Sequence, residues 1–82
     1  MVSSEVEIYD RIVKVLTAEL DIKKDKVQPT SHILNDLGAD SLQILEVIMS
    51  LEEEFDIIIS DESIDIIETV DDIINEVRKN IA

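Results

Sequence analysis

Leu37-Gly38-Ala39-Asp40-Ser41-Leu42 decides how this chain is read, because it joins a glycine, a helix cap and a hydroxyl within six residues. Gly38 is the only glycine in 82 residues, which marks a backbone position needing positive φ or close approach. Asp40 and Gln43 have the spacing of a capping box, each side chain reaching the other residue's amide. Ser41 is then the first residue of a helix. A hydroxyl there lies beside unpaired amides and the positive end of the helix dipole, where an anion such as a phosphodiester is favoured. An Asp-Ser pair before an apolar run is more commonly an ordinary cap, so the surrounding sequence has to decide.

Downstream of the cap, a helix from Ser41 to about Glu54 carries Leu42, Ile44, Leu45, Val47, Ile48, Leu51 and Phe55 as one apolar side. Glu46, Met49, Glu52 and Glu53 occupy much of the rest, with Met49 read as surface. Asp56-Ile57-Ile58-Ile59 has strand-like composition but no second strand to pair with, so it is expected as an extended loop burying Ile57 or Ile59. Ser60 should cap a short helix to about Ile67, with Ile64 and Ile67 inward. Thr69, with Asp72 three residues on, should cap a last helix buried through Val70, Ile73, Ile74, Val77 and Ile81. Arg78 and Lys79 there oppose its C-terminal dipole.

Upstream, Asp21 to Ala39 is a long connection that Val27, Ile33, Leu34 and Leu37 can pin down, with Thr30 or Ser31 capping a turn. His32, the sole histidine, reads as a solvated or capping loop residue. A first helix should start at Ser4, boxed with Glu7, and bury Val6, Tyr9, Ile12, Val13, Leu16 and Leu20. Glu7 with Arg11 and Asp10 with Lys14 are favourable pairs of about 0.3 kcal/mol each on its surface. The expectation is all-α: a small bundle of three main helices plus a short third one, one domain over residues 1–82.

Composition narrows the function. There is no cysteine, and Tyr9 and Phe55 are the only aromatics, so neither a disulfide framework nor a thiolate metal site is expected and the core must be aliphatic. Twenty acidic against seven basic residues give a net charge of −13. From Val27 to Val77 there is no Lys or Arg, while fourteen Asp and Glu fall in that span. The sign disfavours nucleic acid and suits basic partners, if it does more than keep the surface solvated. The N-terminus has neither a basic nor an apolar signal region, and no apolar run approaches membrane-spanning length, which points to a cytoplasmic protein with no membrane insertion.

The Gly38-to-Leu42 stretch, followed by Leu51-Glu52-Glu53-Glu54-Phe55-Asp56, Ile59-Ser60-Asp61 and Thr69-Val70, resembles the acyl carrier proteins of dissociated fatty acid synthesis across essentially the whole chain. That resemblance implies a four-helix carrier with no catalytic activity of its own. It implies 4'-phosphopantetheine, moved from coenzyme A onto Ser41 by a phosphopantetheinyl transferase, and acyl chains carried as thioesters. By the same resemblance, Asp40, Leu42, Glu46, Met49, Glu52 and Glu53 would meet basic surfaces of the transferase and of fatty acid synthesis enzymes. Leu45, Ile59, Ile64 and Ile67 would line an acyl pocket, with the protein acting as a monomer. Gln43, Ile44, Ile58 and Ile66 depart from the usual family pattern, removing charge near the serine and adding apolar surface.

Rival readings fare differently. A serine hydrolase needs a base in reach of Ser41, and the single histidine sits in a loop. Asp36 to Asp40 lacks the ligand spacing of a calcium-binding loop, and no metal site is expected. A carrier for polyketide, aminoacyl or lipid A chemistry stays open, as does an acidic interaction protein that carries nothing.

Overall fold

A computed structural model describes residues 5–81 as four helices, α1 (Glu5–Leu20), α2 (Ser41–Phe55), α3 (Asp61–Ile66) and α4 (Val70–Ile81), with a 3-10 turn at Lys24–Lys26. The expected Ser4 cap lies outside the described residues. The bundle is all-α as expected; among the described residues its extended pairing is a single antiparallel bridge between His32 and Thr69.

Each helix is placed by its apolar stripe. In α1 the buried residues are Ile8, Ile12, Val13, Val15, Leu16 and Leu20. Val6, expected in that face, is instead 71% exposed; it stands about 160° round the helix from Ile8, which takes the inward position. In α2 the core face is Val47, Ile48, Leu51 and Phe55, with Ile44 packed beside it. Leu42 and Leu45, expected in the same face, are exposed together with Met49. Residues 42, 45 and 49 recur at steps of three and four, so α2 carries two apolar stripes on different sides. Periodicity alone merges them into one.

The long connection is held by backbone pairing as well as by side chains. Ile33 N donates to Glu68 O at 2.9 Å, Val70 N to Ser31 O at 3.0 Å and Asp71 N to Pro29 O at 2.9 Å. Val27, Ile33, Leu37 and Ala39 are buried, whereas Leu34 is exposed: Ile33 is paired on both backbone sides, to Glu68 and to Ala39, and the chain turns outward at the next residue. Tyr9 adds a tie, its hydroxyl donating to Val27 O at 3.2 Å. His32 is a turn-capping residue, its Nδ1 accepting from Asn35 N at 3.2 Å.

Between α2 and α3, Ile59 is buried and Ile57 packs against the core from a half-buried position. The Ser60 side chain caps α3 as expected, accepting from Ser63 N. The Thr69 and Asp72 box is also present, with Thr69 N donating to Asp72 Oδ2 at 3.0 Å and Asp72 N to Thr69 Oγ1 at 3.3 Å. Asp72 accepts from Glu68 N as well, at 2.9 Å. These amides at Glu68 and Thr69 hold its carboxyl below the ordinary carboxylate range, against the opposing effect of burial. Glu76, unremarked in the sequence, is buried in α4 with Asn80 Nδ2 donating to its Oε2 at 3.0 Å.

Arg11 does more than decorate α1. Its Nε donates to Glu54 Oε2 at 2.8 Å and its Nη2 to Glu54 O, while the guanidinium lies 4.5 Å over the Phe55 ring. One side chain thus neutralises, caps and packs on the C-terminal end of α2.

Two outcomes follow. Arg11→Ala should cost about 2 kcal/mol from the charge-assisted bonds and ring contact, and Arg11→Lys should recover less than half because an ammonium lacks the guanidinium fork; urea midpoints measure both. Asp72→Asn should cost about 1 kcal/mol at neutral pH. Because the folded pKa of Asp72 is depressed, its contribution is present above the unfolded pKa and is lost as pH falls through the folded value. The gap between wild type and variant in pH-resolved unfolding should therefore close below about pH 4.

Candidate functional site

The start of α2 is built by three neighbours. Leu37 and Ala39 are both buried, and Gly38 between them has φ +73, with no neighbouring atom within 4 Å of where a Cβ would stand. The turn is therefore demanded by backbone conformation and not by crowding. Ala39 N donates to Ile33 O at 3.1 Å, fixing the turn to the core. Asp40 Oδ1 then accepts from Gln43 N at 2.8 Å, and Gln43 Oε1 from Asp40 N at 3.1 Å. The predicted capping box is complete, and Ser41 is the first helical residue.

Ser41 differs from the other described serines. Ser31 and Ser63 are buried, and Ser31 Oγ accepts from Gln28 N at 3.0 Å. Ser50 donates to Glu19 Oε1 at 2.7 Å, and Ser60 donates to Ser63 Oγ at 3.0 Å while capping α3. Ser41 is exposed and, among the described serines, has the hydroxyl left without a hydrogen bond. Its side chain opens on a cleft of about 310 Å³ lined by Ser41, Ile44 and Leu45 from α2 and Ile64 and Asp65 from α3.

The structure distributes the other expected residues unevenly. Leu45 and Ile64 stand at the Ser41 cleft. Ile59 belongs to the core, and Ile67 lines a separate depression of about 250 Å³ with Ile66, Asp72, Asn75, Glu76 and Lys79. Leu42 and Met49 lie on the outer stripe of α2. Glu46, Met49 and Glu53 border a shallow depression with Glu19 and Ser50 of about 200 Å³. Glu52 is half-buried, and its Oε2 accepts from Ile59 N at 2.8 Å. Sequence reasoning did not assign Ile44 and Asp65 to the cleft. Ile44 was within reach of it, being one helical turn from Ser41; Asp65 comes from another helix and left no local signal.

Among the described residues there is no cluster of three or more His, Cys, Asp or Glu placed to hold a metal, and no helix long and apolar enough to cross a membrane. Comparison with known proteins separates a carrier from an acidic interaction protein that carries nothing. A family model described as "Phosphopantetheine attachment site" matches residues 10–77. An acyl carrier protein of Buchnera aphidicola subsp. Acyrthosiphon pisum (strain Tuc7) is 49% identical over 72 residues, covering 88% of this chain and 90% of its own length.

The chain belongs to the acyl carrier protein family.

A second acyl carrier protein, from strain APS of the same subspecies, matches with the same identity and coverage. Membership of the acyl carrier protein family makes the chain a carrier and not a catalyst, with 4'-phosphopantetheine as its prosthetic group.

Proposed function

We propose that Ser41 is the attachment point of 4'-phosphopantetheine, and that residues 1–82 act as one cytoplasmic carrier domain holding growing acyl chains for fatty acid synthesis. The observation that carries this reading is the Ser41 hydroxyl itself: exposed, outside the side-chain hydrogen bonds that engage the other described serines, and first in a capped helix beside an apolar cleft. The residues fit the group. The dipole and first-turn amides of α2 favour the charge of a phosphodiester. Ile44, Leu45 and Ile64 offer apolar surface next to it. When bound, the group supplies a terminal thiol that holds the acyl chain as a thioester.

On this reading a transferase removes the Ser41 Oγ proton as that oxygen bonds to the phosphorus of the pantetheine arm, and the nucleotide portion of coenzyme A leaves. Asp40 holds the serine at the helix start through its cap. The outer stripe of α2, Leu42 and Met49 together with Glu46, Glu52 and Glu53, presents apolar contact bordered by carboxylates. Such a surface suits transferase and synthesis enzymes with basic docking faces. A second reading, a carrier dedicated to polyketide, aminoacyl or lipid A chemistry, draws on Ile58 and Ile66, which are 83% and 71% exposed.

Intact mass after incubation with coenzyme A, Mg²⁺ and a broad-specificity phosphopantetheinyl transferase should rise by one phosphopantetheine in the wild type. Folded Ser41→Ala should gain nothing; a gain in that variant would sink the assignment. Glu46→Lys should slow association with the transferase by roughly tenfold at low ionic strength and flatten its salt dependence. Stopped-flow rates unchanged by that reversal would remove Glu46 from the docking surface.

A further inference from the structure

The donors at the start of α2 can be accounted for one by one. Asp40 N donates to Gln43 Oε1 at 3.1 Å, Gln43 N to Asp40 Oδ1 at 2.8 Å and Ile44 N to Asp40 O at 3.0 Å. Ser41 N and Leu42 N have no hydrogen bond among the described residues, as befits the first turn of a helix. One further donor group is left over.

That group is the side-chain nitrogen of Gln43. An amide proton on Asp40 can be met only by the oxygen of the carboxamide, so the orientation of the Gln43 side chain is fixed and Nε2 keeps two N–H groups to give. Nε2 makes no hydrogen bond among the described residues. The capping box therefore accounts for the oxygen of Gln43 and leaves its nitrogen unused. A glutamate would close the same box, and the helix dipole would favour its charge. The cap does not explain why an amide stands here.

The surroundings are rich in acceptors. Asp40 shares the box, Asp65 lines the Ser41 cleft, and Glu46 follows three residues on from Gln43. A phosphodiester on Ser41 would bring a further negative charge to a segment, Val27 to Val77, that holds no Lys or Arg. Neutral donors are what this helix start has to offer it: the amides of Ser41 and Leu42, and Gln43 Nε2.

We propose that Gln43 is a positioning residue for the prosthetic group: its Oε1 closes the cap of α2, and its Nε2 donates to a phosphodiester oxygen borne by Ser41. The inference rests on Ser41 as the attachment point. It gives one side chain two duties, the first in the unmodified chain and the second after modification. Held in this way, the root of the arm is tied to the start of α2, whereas an acid at position 43 would repel it.

NMR of the side-chain amides before and after loading tests this. The chain has five, at Gln28, Asn35, Gln43, Asn75 and Asn80. Unmodified Gln43→Glu, which keeps the capping box, identifies the Gln43 pair by its disappearance. Loading of the wild type, verified by intact mass, should move one Gln43 Nε2 proton downfield and slow its exchange about tenfold, the scale of a hydrogen bond to a charged group. The other four pairs should stay in place. Urea unfolding at high salt, where repulsion between exposed charges is screened, gives a second reading. The two unmodified proteins should have folding constants within about twofold of each other, and loading should lower that of Gln43→Glu about tenfold relative to its effect on the wild type. Loading that leaves the Gln43 resonances unmoved, or that changes both stabilities equally, would overturn the donor role and leave Ser41 as the attachment point. A folded wild type that gains no mass would overturn both.

Discussion

Arg11 supplies the ion pair at the end of α2, where that helix gathers negative charge. The last turn of that helix and the residue after it bring Glu52, Glu53, Glu54 and Asp56 together with no basic residue, at the pole where the helix dipole is already negative. Left unanswered, that concentration would push the helix end apart from itself and expose its terminal carbonyls. The guanidinium answers several of these demands from α1, pairing with the Glu54 carboxylate, bonding the Glu54 carbonyl and covering the Phe55 ring. Since α1 is the helix against which both α2 and α4 pack, this contact sets where the outer face of α2 points.

From that arrangement the rest of the site follows by connection. The loop before α2 is sewn to the entry of α4 through residues 29–33 and 68–71, so the two ends of the segment that contains α2 and α3 are close together. Gly38 and the Asp40 cap then aim Ser41 outward, and α3 completes the cleft from the other side. The molecule has one firmly packed wall, α2, and one lightly held wall, α3.

Features governed by residues three or four apart were legible in the sequence. The Asp40 and Gln43 box, the Ser60 cap and the Thr69 and Asp72 box are local contacts, and each appears where the spacing put it. Ser41 at the head of a helix was legible for the same reason. What periodicity cannot say is which apolar face finds a neighbour. Leu42, Leu45 and Val6 lie on faces that meet solvent, and only the packing of other helices settles that. Arg11 with Glu54, Ile33 with Glu68 and Asp65 at the Ser41 cleft are pairings across the chain, set by tertiary geometry that leaves no repeat to read. The acyl-pocket residues expected from the family resemblance divide accordingly, with Leu45 and Ile64 at the cleft and Ile59 and Ile67 elsewhere.

The open space around Gly38 bears on how this sequence can drift. Among the described residues two others share its left-handed backbone, Asp21 and Asp56, each beside a helix end and each with a short polar side chain that tolerates φ > 0. At Gly38 no neighbour in the fold would collide with a side chain, so the constraint that the fold itself sets there is torsional. Asparagine or aspartate is accordingly an admissible replacement while a β-branched residue is not. The fold holds the only glycine in the chain in place by an angle, one that asparagine or aspartate meets at less strain than other side chains.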